Sequence, residues 1–169
     1  MSIDLEDDPL TTAPERLAEL YGRPGFMIRR AHQITISVFQ AHAGDLGLTN
    51  TQFGVLYILK RYPRIDQVTL AKLLRLDRST TGTVVQTLES RGLVARDVGE
   101  ADRRRRVLAL TGDGDSMLQQ VQQKSAGTSN TLLAALNADE RRVFLDLLTR
   151  LVTHFEETEI NPGSVDSGE

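Results

Sequence analysis

Two short helical patterns, separated by only a few residues, constrain the fold of this chain more than any other feature. The first carries apolar residues at helical spacing up to Leu74, and the second begins at Asp77 and ends before Gly92. An Asp at a helix N-cap accepts hydrogen bonds from the free backbone N–H groups of the first turn. The apolar stripe of the second pattern consists of Val84, Val85 and Leu88. The segment therefore predicts two helices joined by a tight turn.

The start of the second helix carries side chains that suit contact with a DNA major groove. Guanidinium, hydroxyl and amide groups hydrogen-bond to base edges and phosphates there; the alternative is a merely solvated, well-capped helix start. Gln86, on the same face, would either read adenine or simply be exposed. Gly82 is unfavourable inside a helix, so either close helix packing or close approach to the DNA backbone would explain it. The candidate DNA-binding residues are Arg78, Ser79, Thr80, Thr81, Thr83 and Gln86.

A charged hairpin is predicted directly after this helix. Leu93 to Val98 alternates like a strand, Val107 to Leu110 is a second β-prone run, and Ile65 is a candidate for a third short strand. The loop from Gly99 to Arg106 is too charged to be buried and includes four arginines. Arginines at such a tip enter a narrow minor groove, where the potential is most negative. The expected roles are DNA contact for Arg103 and Arg104, and a strand or core-rim position for Arg106. Asp102 is expected to pair with Arg104 or a neighbour and so to fix the hairpin.

The order and spacing of these motifs resemble the MarR family of bacterial transcription regulators. The resemblance covers residues 24–155 and is most specific between Leu70 and Thr111. The family often has Gly after the helix-opening Thr and Lys or Gly further on; here Gly112 and Gly114 fill both places, which leaves the helix start open by a residue or two. The resemblance implies a winged helix, a two-fold dimer and a hairpin-fixing role for Asp102. The matching segments are Leu70-Ala71-Lys72-Leu73-Leu74, Asp77-Arg78-Ser79-Thr80-Thr81, Leu88-Glu89-Ser90-Arg91-Gly92-Leu93-Val94, Asp102-Arg103-Arg104 and Leu110-Thr111.

Charge is distributed unevenly along the chain, although the net charge is −3. From Lys60 to Arg106 there are 12 Lys and Arg against 6 Asp and Glu, whereas the rest of the chain has 8 against 17. A basic segment in an acidic chain indicates where phosphate would bind. We expect the acidic remainder to face away from DNA.

Helical patterns on both sides of this segment predict a fold that is mainly α with a small β-hairpin. Thr49 and Gln52 form a capping-box pattern at the start of a helix that precedes the other two. The helix after Thr111 is expected to continue past Gly127 to Leu136 with a bend. The expected organisation is a flexible acidic arm at 1–22, dimerisation helices at 24–44 and 112–155, a winged-helix DNA-binding module at 49–110 and a disordered acidic tail at 156–169.

The last helical pattern carries more apolar residues than a small module would bury. Pairing of the first, penultimate and last helices across a two-fold axis would cover them, so we expect a homodimer on a palindromic operator. The apolar residues of the last helix are Val143, Phe144, Leu147, Leu148, Leu151, Val152 and Phe155.

A second candidate site would bind a small anion. Cations and a histidine on the first long helix, beside aromatic side chains, suit an aromatic or acyl carboxylate or a coenzyme A (CoA) thioester. The family resemblance implies such a pocket between the dimer helices and the DNA-binding module. Ordinary interhelical ion pairs, an interfacial histidine and core aromatic residues are the alternative. The candidate ligand-binding residues are Arg29, Arg30, His32, Phe53 and Tyr57.

Other classes of function find little support. The chain has no cysteine and only three histidines, which are far apart in sequence, so no metal site, cofactor or cysteine chemistry is expected. No phosphate-binding loop or nucleophile elbow occurs, and Asp113-Gly114-Asp115 lacks the later ligands of a calcium loop. Because these motifs are missing, the chain is not expected to be an enzyme. Neither a signal peptide nor an apolar run long enough for a membrane span is recognisable, which predicts a cytoplasmic protein.

The sequence therefore predicts a ligand-responsive DNA-binding transcriptional regulator. It would act as a repressor that binds an inverted repeat as a homodimer and leaves it when an aromatic acid or CoA thioester binds. The alternative is a winged-helix adaptor that contacts only proteins, although an adaptor needs neither the arginine run nor the hydroxyl-rich helix start.

Overall fold

The computed structural model of the protein describes residues 17–98 and 106–160. Their contacts divide the chain into two compact units, Met1–Thr128 and Ser129–Glu169. The hairpin tip with Asp102, Arg103 and Arg104 lies outside the described residues, as do the ends of the chain.

The first unit begins with helices α1 (Ala18–Tyr21) and α2 (Pro24–Ala43), a 3₁₀ turn (Gly44–Leu46) and helix α3 (Asn50–Arg61). Pro24 occupies the first turn of α2, where its missing N–H costs no helical hydrogen bond. Gly47, with a φ of +64°, ends the 3₁₀ turn in a left-handed conformation that favours glycine. The predicted capping box at Thr49 and Gln52 is confirmed, with both reciprocal hydrogen bonds present. Because α1 is helical, the acidic arm predicted for 1–22 does not extend to residue 22.

Two helices and a hairpin follow: α4 (Gln67–Leu74), α5 (Arg78–Ser90), β1 (Val94–Val98) and β2 (Arg106–Leu110). Asp66 and Asp77 cap the two helices, and Arg75 ends α4 with a left-handed φ of 53°. The strands pair antiparallel, with Val94 opposite Leu110 and Val98 opposite Arg106. The predicted third strand is reduced to a single bridge between Ile65 and Leu108.

Helix α6 (Gly112–Ser125) completes the first unit. The Thr111 hydroxyl caps it by accepting from the Gly114 N–H at 2.9 Å, which fixes the helix start that the sequence left open. A Cβ on Gly114 would lie 2.0 Å from the Leu93 carbonyl oxygen, so only glycine allows α6 to begin against the base of the hairpin.

One apolar core joins helices α2 to α6 and both strands. Burial of each large aliphatic side chain contributes about 1.5–3 kcal/mol, so this core fixes α5 relative to the hairpin. The largest fully buried apolar side chains are Leu48, Leu56, Leu59, Leu70, Leu88, Leu108, Leu118, Val55, Val85 and Val121.

The single bent helix predicted from Thr111 to Leu136 is wrong. Helix α6 ends at Ser125, and a separate short helix, α7 (Thr128–Leu132), follows. Gly127 lies in the break and has the weakest helix preference after proline.

The second unit consists of the remainder of α7 and the long helix α8 (Ala138–Ile160). Asn137 caps α8 by accepting from the backbone N–H groups of Asp139 and Glu140. Arg141 ties α8 to the preceding loop by donating to the carbonyls of Leu133 and Leu136. The disordered tail predicted from residue 156 is wrong for 156–160, because α8 continues to Ile160.

None of the described helices combines the length and the apolar composition that crossing a bilayer requires.

Candidate functional site

The first turn of α5 is exposed to solvent, and Asp77 caps it. One Asp77 carboxylate oxygen accepts from the Thr80 backbone N–H at 2.8 Å, and the other accepts from the Thr80 hydroxyl at 2.6 Å. These bonds, from the Thr80 hydroxyl first and then its N–H, lower the pKa of Asp77 below its usual 3.8. The cap remains ionised at neutral pH and complements the positive helix end.

Five of the six predicted DNA-binding residues of α5 are exposed, but their hydrogen-bonding capacity differs. The Thr80 hydroxyl proton is committed to Asp77, and Thr83 donates its own to the Ser79 carbonyl at 3.2 Å. Both threonines therefore offer acceptors and methyl groups, but no free donor. Arg78, Ser79 and Gln86 donate no side-chain hydrogen bond to any residue that the structure describes, so their donors face solvent at this part of α5.

The predicted DNA contact of Thr81 is wrong. Its side chain is fully buried, and its hydroxyl donates to the Asp77 carbonyl at 2.9 Å. Thr81 lies four and seven residues before Val85 and Leu88, so it belongs to the buried stripe of α5.

Gly82 faces helix α4. A Cβ at this position would lie 3.1 Å from the amide nitrogen of Gln67, the first residue of α4. Of the two interpretations of Gly82, the structure therefore favours close helix packing, with the Gln67 amide seated against α5.

Two arginines, neither of them predicted as functional, hold the far end of α5. Arg91 donates to the carbonyls of Gly47 at 2.6 Å and Leu46 at 3.1 Å, which joins the end of α5 to the 3₁₀ turn. Arg96 of β1 pairs with Glu89 of α5 at 2.8 Å. The position of Arg91 at the end of the helix suggests that it could bond to backbone carbonyls. The sequence does not show which ones, because its partners lie more than 40 residues away.

The hairpin base is well anchored. Thr111 donates its hydroxyl to the Gly92 carbonyl at 2.7 Å, and Asp97 of β1 pairs with Arg64 at 3.0 Å. Arg106 is exposed at the first position of β2, in agreement with the predicted strand position. The roles predicted for Asp102, Arg103 and Arg104 fall outside the described residues and stay predictions.

The predicted ligand-binding residues form two groups. Arg29, Arg30 and His32 are exposed on the first half of α2, where the Arg29 guanidinium lies 4.9 Å from the centre of the Phe26 ring. Phe53 of α3 lies between Phe39 and Tyr57, with ring centres 6.0 and 6.1 Å away. The ring contacts of the described residues do not join the two groups, so their common role stays a prediction.

A cavity of about 350 Å³ lies between α3 and α6, and Tyr57 is the predicted residue that reaches it. The guanidinium of Arg61 lies 5.4 Å from the centre of the Tyr57 ring and donates to its hydroxyl at 3.4 Å. Lys60 is neutralised by Asp115 at 2.8 Å. Sequence reasoning missed Arg61, although it lies one helical turn after Tyr57. The cavity is lined by Tyr57, Lys60, Arg61, Asp115, Leu118, Gln119 and Gln122.

Comparison with known proteins identifies the family. The MarR family profile matches residues 48–105, the part that contains α3, α4, α5 and the first hairpin strand, β1. A transcriptional regulatory protein for the hcr operon of Thauera aromatica is 33% identical over 144 residues, which cover 83% of this chain and 85% of that protein. The transcriptional repressor NicR of Pseudomonas putida is 31% identical, over 85% and 89% of the two chains. The chain belongs to the MarR family.

Solved structures of regulators agree in fold. BpsR of Bordetella bronchiseptica, whose DNA binding is regulated by 6-hydroxynicotinic acid, has a TM-score of 0.74 and 29% identity, over 78% of this chain and 94% of BpsR. The repressor CouR bound to a 23-mer DNA duplex has a TM-score of 0.75 and 28% identity, over 80% and 96% of the two chains.

Membership of the MarR family confirms several predictions from the sequence. The chain is a transcriptional regulator with a mainly helical winged-helix fold, and duplex DNA is its partner. MarR-family regulators are dimers, which agrees with the predicted homodimer. The adaptor alternative, which would contact only proteins, loses its support.

Proposed function

We propose that two copies of this MarR-family chain bind an inverted-repeat operator and repress transcription, in the cytoplasm, until a small aromatic acid releases them. The observation that carries the DNA-binding part is the exposed, capped start of α5, where Arg78, Ser79 and Gln86 keep donors that no described residue uses. Side chains of this kind hydrogen-bond to guanine, adenine and phosphates in a major groove. A two-fold dimer places two such helices about one DNA turn apart.

Exposed apolar surface supports the dimer. Eight large apolar side chains of α8 are between 38% and 61% exposed in the isolated chain. Helix α2 adds Met27, Ile28, Ile34 and Ile36, each more than 40% exposed. Surfaces of this kind mark interaction sites, and helices at both ends of the chain were predicted to supply the dimer contacts.

The cavity beside Tyr57 supports a single-ring acid as the effector, the small molecule that releases the protein from DNA. Its volume of about 350 Å³ is at the lower end for small-molecule sites, which disfavours a CoA thioester. Tyr57 offers a ring face, and Arg61 offers a guanidinium for the carboxylate. Regulation of the related BpsR by 6-hydroxynicotinic acid agrees with this class. Arg29, Arg30 and His32 remain candidates for a second set of contacts.

Release follows if the effector binds one arrangement of the dimer better than the other. An arrangement with a half-site spacing that does not fit B-DNA would bind the operator weakly, so effector binding would shift the population away from DNA. Couplings of this kind amount to about 1–3 kcal/mol, or roughly 5- to 150-fold in affinity.

Fluorescence-anisotropy titrations against promoter and random duplexes test DNA binding. We expect tighter binding to the promoter, and we expect Arg103→Ala with Arg104→Ala to weaken binding to both duplexes and to flatten the salt dependence. Arg142→Ala, which removes a cation from α8, is the control and should leave both properties unchanged. Equal affinity for both duplexes would contradict an operator-specific regulator, and an unchanged salt dependence would contradict the wing contacts.

A thermal-shift screen of aromatic acids and CoA thioesters tests the effector. Arg61→Gln should lose the response to the best acid but keep DNA binding, because Arg61 lines the cavity. Arg29→Ala and His32→Ala test the other group in the same assay. If Arg61→Gln is released from DNA by the acid as readily as the parent, the effector does not bind beside Tyr57.

A further inference from the structure

A groove of about 500 Å³ lies at the start of α4, outside both sites described above. Its walls come from the first turns of α4, and Arg106 of β2 lies at its edge. Lys72 and Arg106 are exposed, and neither forms an ion pair with any residue that the structure describes. The groove is lined by Asp66, Gln67, Val68, Thr69, Lys72 and Arg106.

The lining of the groove has a positive balance of charge although Asp66 is part of it. One Asp66 carboxylate oxygen already accepts from the Thr69 N–H at 2.8 Å as the N-cap of α4. Lys72 and Arg106 are two cations against this single carboxylate, and one of its oxygens faces the helix end. The Gln67 amide adds a neutral group that is able to donate a hydrogen bond.

The position of the groove is fixed on both sides. On one side the Gln67 amide is seated against Gly82 of α5. On the other, Ile65 forms a bridge with Leu108 of β2, in which the Leu108 N–H donates to the Ile65 carbonyl at 2.8 Å. The groove consequently lies between the helix that would enter the major groove and the hairpin that would reach the minor groove.

Adjacent major and minor grooves of B-DNA are separated by one sugar–phosphate strand. A protein with one element in each groove must therefore let that strand pass between the two elements. We propose that Lys72 and Arg106 bind a phosphate of this strand, and that the groove at the start of α4 is a DNA-backbone site. The proposal rests on the proposed function, since it requires α5 and the hairpin to occupy neighbouring grooves. Phosphate contacts of this kind fix the register of a protein on DNA without reading sequence.

Salt dependence of binding to a random duplex tests the site. Each phosphate contact contributes about 0.9 to the slope of log affinity against log salt. We expect Lys72→Gln with Arg106→Gln to lower the slope by up to about 1.8, while the charge-preserving pair Lys72→Arg with Arg106→Lys keeps it. Arg142→Gln is the matched control for loss of a cation. Both substituted residues are exposed, so the variants should fold like the parent. Far-UV circular dichroism and thermal unfolding would verify the fold of each variant.

A duplex with one neutral methylphosphonate between the major and minor grooves locates the contact. The parent should bind this duplex more weakly than unmodified DNA, and the Lys72→Gln, Arg106→Gln variant should not distinguish the two. A slope that falls no further than in Arg142→Gln would overturn the site while leaving DNA binding by α5 intact. If the parent itself binds no duplex, the proposed function fails, and this inference fails with it.

Discussion

The three threonine hydroxyls at the start of α5 form hydrogen bonds within the helix, which limits the bonds that they can form with DNA. Thr81 and Thr83 each donate to the carbonyl four residues earlier, and Thr80 donates to the Asp77 carboxylate. A hydroxyl has one proton, so these side chains do not donate to phosphate without giving up a bond inside the helix. Hydrogen bonds that α5 donates to bases and phosphates therefore fall to Arg78, Ser79 and Gln86, while the exposed threonine methyl groups suit the thymine C5-methyl group.

Asp77 is the residue whose loss should disturb this helix end most. We expect Asp77→Ala to destabilise the protein at neutral pH, because it leaves the Thr80 N–H and hydroxyl without their partner. Asp77→Asn should retain most of the stability, since Asn caps helices as well as Asp does. Chemical denaturation of the three proteins measures the differences.

The same comparison predicts a pH dependence. The pKa of Asp77 is lowered below 3.8 in the folded protein, so its ionised cap stabilises the fold above that pH. The stabilisation is lost as the pH falls through the lowered folded-state pKa. The parent should therefore exceed Asp77→Ala in free energy of unfolding by less below about pH 3.8 than above it. The excess of Asp77→Asn over Asp77→Ala should not change with pH, because Asn does not ionise. An advantage of the parent that stays constant down to pH 2 would contradict a role for the charge.

At the scale of elements, Arg91 joins the end of α5 to the 3₁₀ turn that follows α2. The guanidinium reaches the Gly47 and Leu46 carbonyls together, and the same turn is tied to α6 by the ion pair of Asp45 with Lys124. Since the Arg91 donors point at carbonyls, the side chain supports the helix without contacting phosphate. This link connects a helix of the proposed dimer interface with the helix that would read DNA.

Replacement of Arg91 tests whether this residue stabilises the fold or contacts DNA. We expect Arg91→Met to lower the free energy of unfolding by about 1–2 kcal/mol, because two charge-assisted hydrogen bonds are lost at an exposed site. Arg91→Lys should lose about half of that, since a single ammonium does not reproduce the fork of a guanidinium. The salt slope of DNA binding should be the same in all three proteins. A slope lowered by about 1 in Arg91→Met but kept in Arg91→Lys would instead make Arg91 a phosphate contact.

Sequence alone predicted those elements whose determinants are local. The caps at Thr49 and Asp77 follow from side chains that bond to the backbone three residues further on, and α5 was correct from Asp77 to the end. Burial of Thr81 was also readable from its spacing to Val85 and Leu88. The contact of Gln67 with Gly82 was not, because it depends on how two helices pack. The partners of Arg91 were inaccessible for the same reason.

The whole molecule combines a basic DNA-binding segment with acidic surroundings. Residues 60–106 carry twice as many basic as acidic residues, while the rest of the chain carries about half as many. Long-range attraction would therefore orient the protein with α5 and the hairpin toward DNA. Specific binding still requires two copies, because one short helix contacts only one half-site.

Helix α8 offers the most direct test of that requirement. Leu147 and Leu151, one turn apart, are 54% and 42% exposed in the single chain. If a second copy covers them, Leu147→Glu with Leu151→Glu removes four buried leucines per dimer, each contributing about 1.5–3 kcal/mol. We expect monomers in sedimentation equilibrium at micromolar concentration, where the parent is dimeric.

The control for this variant is Thr153→Glu, which adds charge to an exposed polar position on another face of α8. It should remain dimeric. Binding to an inverted repeat should weaken by orders of magnitude in the double variant, because the second half-site no longer adds its free energy to the first. Binding to a duplex with one half-site should change little, since α5 and the hairpin belong to the other unit of the chain. A double variant that stays dimeric would show that α8 does not form the interface, and that α2 must supply it.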